Sequence, residues 1–154
     1  MSFGQAKVLV PFDLRDQFDV LHSSKAISGQ STVIIVSDRE GSTHSENWGR
    51  AIQTIAEELP NSHGVAILAV AHVENVPPIF RSFVRKMIKR DRLAPVLLDW
   101  KGQFNRLYGV KPSLVNVFVF STDGKLQLHI ADSEIKRTTL NSIKDCLNML
   151  TICE

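Results

Sequence analysis

The stretch that decides the fold covers residues 32–59 and reads TVIIVSDREGSTHSENWGRAIQTIAEEL. Its run of four β-branched residues, 33–36, predicts a buried strand. A polar turn follows, and from Glu46 onward apolar residues return at helical spacing. The stretch therefore predicts strand, turn and helix. In an open α/β sheet such a turn lies at the edge where ligands usually bind.

The rest of the chain continues the alternation of strands and helices. Residues 65–71 predict a second strand, which the right-handed crossover rule places parallel to the first and adjacent to it. An Asp123-Gly124 hairpin turn leads into a strand on which Leu126, Leu128 and Ile130 alternate. Three more strands are predicted at residues 7–10, 95–99 and 115–120. Three more helices are predicted, one from near Asn75, one at 103–108 and one from near Ser133.

The helix predicted after Asn75 has two unlike faces. Its apolar residues predict the face that packs on the sheet, and they are Ile79, Phe80, Phe83, Val84, Met87 and Ile88. Its basic residues predict a solvated face. These residues are Arg81, Arg85, Lys86, Lys89 and Arg90, and Arg92 follows them closely in the sequence. The basic cluster, within residues 79–92, also allows anion or nucleic-acid binding as an alternative. No aromatic side chains interleave with the charges, which argues against nucleic acid.

Length and composition restrict the class of protein. A chain of 154 residues with no linker or repeat predicts a single domain, 1–154, and a net charge of +2 is too small to attract a polyanion through its general field. The sequence shows no apolar leader and no run long enough to span a bilayer, so we expect a cytoplasmic protein without a membrane partner. Its two cysteines, Cys146 and Cys153, do not form a disulfide framework.

The order of elements and several local phrases resemble the thioredoxin-like superfamily, in its redoxin or peroxiredoxin-like branch. The phrases are FDLRDQF at 12–18, PVLLD at 95–99, LYGV at 107–110 and FVFSTDGK at 118–125. The likeness covers the chain from about Phe12 to Leu150. It implies a three-layer α/β/α sandwich with a central mixed sheet, a C-terminal β-hairpin and a final helix.

The chain departs from this family at the redox site. The positions of a thioredoxin-like C-x-x-C pair fall on Ser42 and Ser45, and a serine hydroxyl has neither the acidity nor the redox chemistry of a thiol. The family's cis-proline position falls near Leu114 or Val115, so we expect a trans peptide there. These departures predict that the chain carries out neither thiol–disulfide exchange nor peroxide reduction, and we expect no cofactor.

The candidate site has more than one interpretation. Thr43 and Glu46 fit a capping box, which would explain the motif without any ligand. Alternatively, the exposed start of the helix binds an anion or a carbonyl oxygen. His44, His72 and Glu74 could bind a metal, or His44 could activate Ser42 as a nucleophile. Neither of these alternatives has a close sequence signature.

The resulting interpretation is a redox-inactive, non-enzymatic module that binds a protein, a peptide or another ligand, with homodimerisation through the same face as a related possibility. An enzyme that uses Cys146, Cys153 or Ser42 with His44 is the alternative. The candidate binding residues lie in three parts of the chain, and they are Ser42, Thr43, His44, Ser45, Trp48, His72, Glu74, Leu114 and Val115.

Overall fold

The computed structural model describes residues 7–60, 64–91 and 94–152, with side chains omitted at 89–91, 151 and 152. Within these residues the strands are β1 (Asp13–Arg15), β2 (Leu21–Ser23), β3 (Ser31–Ser37), β4 (Val65–His72), β5 (Val96–Asp99), β6 (Val115–Phe120) and β7 (Leu126–Asp132). The helices are α1 (Ser42–Glu58), α2 (Arg81–Asp91), α3 (Gln103–Tyr108) and α4 (Arg137–Ile152). Short 3₁₀ turns cover Ser24–Ile27 and Pro78–Phe80.

The central sheet is mixed, as predicted. Its strands follow the order β5-β4-β3-β6-β7, with β4 parallel to both β3 and β5. Strand β6 is antiparallel to β3 and to β7. The β-branched run of β3 lies at the centre, where every residue of the strand is buried. This position explains why the run is apolar throughout rather than alternating.

Two hydrophobic clusters cover the two faces of the sheet. One cluster joins the sheet to α1 and α4, and Trp48, Ile52 and Ile143 are fully buried in it. The other joins the sheet to α3 and the segment before β1, with Phe104 and Phe118 at its centre. The predicted three-layer α/β/α arrangement is therefore confirmed.

Several local predictions are wrong. The strand expected at 7–10 is a single bridge from Val8 to Lys125, and the first regular strands are instead the β1–β2 hairpin. A register shift beside Phe120 pairs that residue with Leu126, while Val119 pairs with Leu128. Paired residues share a face, so Leu126 packs on the α3 side, whereas Leu128 packs on the α1 side.

The last helix also begins later than predicted, at Arg137 rather than near Ser133. Ile135 precedes it and is 37% exposed, so it does not extend the buried stripe. Leu140, Ile143, Leu147 and Leu150 do pack on the α1 side, as predicted.

Helix α2 is rotated relative to the prediction, so that Val84, Met87 and Ile88 are only half-buried. Ile79, Phe80 and Phe83, predicted to be buried, are 81%, 55% and 58% exposed. None of the described side chains of α2, residues 81–88, belongs to either hydrophobic cluster. The arginines turn inward instead: Arg81 lies over the Trp100 ring and Arg85 forms an ion pair with Asp19. This rotation leaves an apolar helix face partly open beside α1.

Candidate functional site: the groove between helices α1 and α2

The turn between β3 and α1 is held in place by the carboxylate of Asp38. Its Oδ1 accepts a hydrogen bond from the Gly41 amide at 2.9 Å, and its Oδ2 accepts one from the Ser113 amide at 2.8 Å. The Ser113 hydroxyl in turn donates to Glu40 Oε2. These bonds connect the turn to the loop before β6. The bond to Gly41 spans three residues, which is the spacing at which an aspartate before a helix accepts from a backbone amide, and this is the sequence signal for Asp38.

Gly41 allows the start of α1 to approach the β6 loop closely. A Cβ atom at Gly41 would lie only 2.6 Å from the carbonyl oxygen of Leu114. That carbonyl also accepts a hydrogen bond from Asn116 Nδ2 at 3.2 Å, which fixes its position. The described residues contain no cis peptide bond, so the bond before Val115 is trans, as expected. The structure thus brings Gly41 beside Leu114.

The predicted capping box at Thr43 is wrong. Helix α1 begins at Ser42 with Gly41 at its N-cap, and no side chain forms a cap hydrogen bond there. The Thr43 hydroxyl donates to the Glu40 carbonyl at 3.4 Å, and Glu46 accepts a hydrogen bond from Arg50 at 3.0 Å. The turn held by Asp38 places Gly41 at the N-cap of α1, whereas the predicted capping box requires Thr43 at that position.

The serine and histidine of the predicted motif are not arranged for hydrolysis. Ser42 is exposed and its hydroxyl donates to the Arg39 carbonyl at 2.7 Å, while the buried Ser45 donates to the Ser42 carbonyl at 3.3 Å. His44 lies two residues after Ser42 on the same helix, and residues at this spacing do not face each other. The structure does not place the imidazole of His44 against the hydroxyl of Ser42.

Two further candidate residues belong to the core rather than to a binding surface. Trp48 is fully buried and its indole N–H donates to the Ser133 carbonyl at 3.3 Å. Val115 is also fully buried, at the start of β6. The prediction that their side chains form part of the surface is wrong, because both point into the cluster between the sheet, α1 and α4.

His72 and Glu74 come together at the end of β4, with Nε2 of the histidine 3.6 Å from Oε2 of the glutamate. The Glu74 carboxylate lies against Gly102, where a Cβ would approach it to 2.2 Å. The other ring nitrogen of His72, Nδ1, is buried and has no hydrogen-bond partner among the described residues. A search of those residues finds no group of three potential metal ligands, so the structure does not assemble His44, His72 and Glu74 as a metal site.

A groove of about 700 Å³ opens beside these residues. One wall is the start of α1, with Ser42, Thr43 and Ser45, and His72 lies at the end of β4 between the walls. The opposite wall is the apolar side of α2 and the turn before it, formed by Val76, Pro77, Phe80, Phe83, Val84, Met87 and Ile88. Four of the predicted site residues, Ser42, Thr43, Ser45 and His72, therefore supply part of the polar lining, which also includes Asp38, Arg39, Glu46 and Asn75. His44 and Glu74 are not part of the lining. Sequence reasoning missed the apolar wall, because helical periodicity alone does not show which way a face points.

Comparisons with known proteins give one clear result. No protein-family model matches the chain, and no curated protein matches it. Among solved structures, one described as a thiol:disulfide interchange protein DsbE from Chlorobium tepidum aligns with a TM-score of 0.69 and 17% identity, over 97% of this chain and 99% of that one. The chain has a thioredoxin-like fold.

Two other thioredoxin-like structures agree with this result. The exposed lipoprotein thioredoxin of Streptococcus pneumoniae aligns with a TM-score of 0.67 and 15% identity, over 88% of this chain and 98% of that one. StoA from Bacillus subtilis aligns with a TM-score of 0.65 and 15% identity, over 92% and 98%. At these identities the likeness concerns the fold. The resemblance predicted from the sequence is confirmed at that level.

The structure describes one cysteine, Cys146, which is distant in sequence from Ser42 and Ser45. Cys146 is half-buried on α4, where it packs on the cluster between α1 and α4. Burial raises the pKa of its thiol above the ordinary value, which disfavours the thiolate that redox chemistry needs. Cys153, like His63 and Arg92, lies outside the described residues. No helix in the described part of the chain is long and apolar enough to cross a membrane.

Proposed function

We propose that this thioredoxin-like chain binds an extended polypeptide in the groove between α1 and α2 and does not carry out thiol–disulfide exchange. The observation that supports the proposal is the exposed apolar face of α2. Phe80 and Phe83 are more than half exposed, and they line a groove that also contains Ser42, Thr43 and His72. Exposed apolar surface bordered by polar groups is typical of protein interaction sites.

Polar groups in the groove suit the backbone of a bound segment. An extended peptide brings unpaired N–H and C=O groups, which need partners when they leave water. Nδ1 of His72 is buried without a partner among the described residues, and the exposed hydroxyls of Ser42 and Thr43 lie on the facing wall. Alternating side chains of the segment would then pack on Phe80, Phe83 and their neighbours. This combination supports a peptide over a small polar ligand.

The proposed loss of exchange chemistry rests on the two serines. Exchange requires a thiolate that attacks a disulfide and a second sulfur that resolves the mixed disulfide. Ser42 and Ser45 occupy the first turn of α1, where the resemblance places the cysteine pair, and neither can form a disulfide. We therefore expect no acceleration of insulin disulfide reduction by dithiothreitol when the protein is added. A rate proportional to protein concentration would contradict this part of the proposal.

The binding part is tested by selecting peptides from a random displayed library on the wild-type protein. The double substitution Phe80→Ser and Phe83→Ser should weaken binding of the selected peptides by at least about tenfold, since two large apolar side chains are removed from the contact. Met149→Ser is the matched control. Met149 is 68% exposed on α4, away from the groove, and its removal should leave binding unchanged.

Other outcomes would overturn the proposal or change the partner. Failure to enrich any peptide, or equal loss with Met149→Ser, would contradict peptide binding in the groove. Size-exclusion chromatography with light scattering measures whether the chain forms a dimer, which would make a second copy of the chain the partner. A dimer that the double substitution dissociates would assign the groove to homodimerisation instead.

A further inference from the structure

A second cavity lies on the other side of α2, away from the apolar groove. It has a volume of about 460 Å³ and is enclosed by the β1–β2 hairpin, the inward side of α2 and the segment that joins β5 to α3. Four basic side chains line it, and they are Arg15, Arg81, Arg85 and Lys101. Four aspartates, Asp13, Asp16, Asp19 and Asp99, line it as well. The orientation of α2 therefore creates two sites, and this one is lined by charged side chains of both signs.

The two arginines of α2 have unused hydrogen-bonding capacity. The Arg81 guanidinium lies 5.0 Å from the centre of the Trp100 ring, and Nη1 of Arg85 lies 3.6 Å from Oδ1 of Asp19. The Nε atoms of both arginines are buried and have no hydrogen-bond partner among the described residues. Buried donors are normally paired, and these two exceptions lie four residues apart on one helix face. The guanidinium groups that carry them line the cavity.

The acidic residues around the cavity are mostly engaged elsewhere. Asp16 accepts hydrogen bonds from two backbone amides of the hairpin and from His22. Asp99 accepts from two backbone amides at the start of α3. Asp19 is shared by two arginines of the cavity, with its Oδ1 3.6 Å from Nη1 of Arg85 and 4.0 Å from Nη1 of Arg15. Only the exposed Asp13 has no partner within the described residues. The four basic and four acidic side chains of the lining balance in formal charge. Arg81 and Lys101, however, have no acidic partner within the described residues, so their donors remain open to a ligand.

We propose that this cavity binds a small organic oxyanion, a phosphate or a carboxylate, through the guanidinium groups of Arg81 and Arg85. A planar guanidinium presents several N–H donors in a geometry that matches these anions, and a volume of this size suits a small organic molecule. Asp19 forms an ion pair with Arg85 when no ligand is bound, so its carboxylate competes with the ligand for the Arg85 guanidinium.

The experiment uses the fluorescence of Trp100, which lines the cavity. The chain has two tryptophans, and the other, Trp48, is fully buried on the opposite face of the sheet. Inorganic phosphate and succinate are titrated separately against the wild-type protein, with chloride holding the ionic strength constant. We expect a saturable change with at least one of them, and the Trp100→Phe variant should not show it.

Variants with opposite expected effects make the test specific. Arg81→Gln and Arg85→Gln should each weaken binding by about tenfold or more, as expected for the loss of a charged hydrogen-bond donor. Lys86→Gln removes the same charge from an exposed position of α2 and should leave the affinity within about twofold. Asp19→Asn should strengthen binding several-fold by releasing Arg85. Asparagine tolerates the positive φ of 64° at that position.

Three results would overturn the proposal. The first is no saturable change with either anion. The second is equal loss of affinity in Lys86→Gln and Arg85→Gln, which would indicate an open basic surface such as a nucleic acid contacts. The third is unchanged or weaker binding in a folded Asp19→Asn protein, which also decides the question if an arginine variant fails to fold. The Phe80→Ser, Phe83→Ser protein should keep its anion affinity, so the two proposals fail independently.

Discussion

Replacing Gly41 by alanine tests the close approach between α1 and the β6 loop. The added Cβ would lie 2.6 Å from the Leu114 oxygen and 2.9 Å from its carbonyl carbon. Carbon and oxygen normally stay more than 3 Å apart, so the backbone would have to move by about 0.5 Å. Overpacking of this kind costs about 1–3 kcal/mol. The loop cannot shift freely, since Asp38 and Asn116 hold it by hydrogen bonds.

Gly49→Ala is the matched control within the same helix. A Cβ there would meet its nearest atom, the Cδ1 of Ile35, at 3.9 Å, which is an ordinary contact. Alanine in place of glycine inside a helix should add about 0.5–1 kcal/mol to the free energy of unfolding. The two variants should therefore differ in stability by about 1.5–4 kcal/mol, with opposite signs relative to the wild-type protein.

Urea unfolding followed by tryptophan fluorescence measures this difference, because unfolding exposes the buried Trp48. With a urea dependence of about 2 kcal/mol per molar, the midpoints of the two variants should differ by about 1–2 M. A Gly41→Ala protein as stable as the wild-type protein would refute the close approach. A similar loss in both variants would show that the glycines matter for another reason.

Three further predictions follow from single contacts. Asp38→Ala removes the acceptor for the Gly41 and Ser113 amides and should lower the free energy of unfolding by about 2 kcal/mol, measured by urea unfolding. The control Asp145→Ala, at an exposed aspartate of α4, should change this free energy by less than about 0.5 kcal/mol. Equal effects of the two substitutions would contradict the role of Asp38. Cys146 should react with a disulfide reagent at pH 7 much more slowly in the folded than in the unfolded protein, since burial raises the pKa of its thiol. Mass spectrometry of the labelled peptides distinguishes Cys146 from Cys153. Equal rates in the folded and unfolded protein would contradict the burial of Cys146. Burial would raise the pKa of Asp16, but the hydrogen bonds from His22, Val20 and Phe18 outweigh it and hold the pKa below the ordinary 3.8. The ionised Asp16 therefore stabilises the fold above about pH 4, and this stabilisation is lost as the pH falls through the folded-state pKa. Asp16→Asn should flatten the loss of stability in acid, and an unchanged pH profile would contradict this.

Much of the fold is predictable from local signals. The run of β-branched residues at 33–36 gave the central strand, and Asp123-Gly124 gave the hairpin turn, whose glycine has φ +80°. The short helix α3 has the predicted bounds and ends at Gly109. In each case the signal is local: burial on both faces of a strand, or a backbone conformation that glycine adopts easily.

The wrong predictions depended on distant contacts. Periodicity correctly found that α2 has an apolar and a basic face, but the orientation depends on Trp100 and Asp19, which are distant in sequence from Arg81 and Arg85. The start of α1 depends on Asp38, whose carboxylate reaches across to Ser113. Likewise, the side on which Leu126 packs depends on a register shift opposite Phe120.

The candidate site was predicted in part. Ser42, Thr43 and Ser45 line the groove together with His72, as expected from their places at the ends of neighbouring strands. Trp48 and Val115 are predicted to belong to the binding surface because the resemblance implies a peptide-binding face there, but both side chains are fully buried. The apolar wall was missed because its residues were assigned to the core, where an apolar stripe on a helix usually belongs.

The most direct test of the groove as a polypeptide site is chemical-shift mapping by NMR with a library-selected peptide. We predict that the largest changes fall on the amides of residues 42–46 and on the methyl groups of Val84, Met87 and Ile88. Smaller changes should reach His72, while the exposed end of α4 around Met149 stays unaffected. Changes confined to α4 or to the β7 edge would contradict the assignment of the groove between α1 and α2 as the binding site.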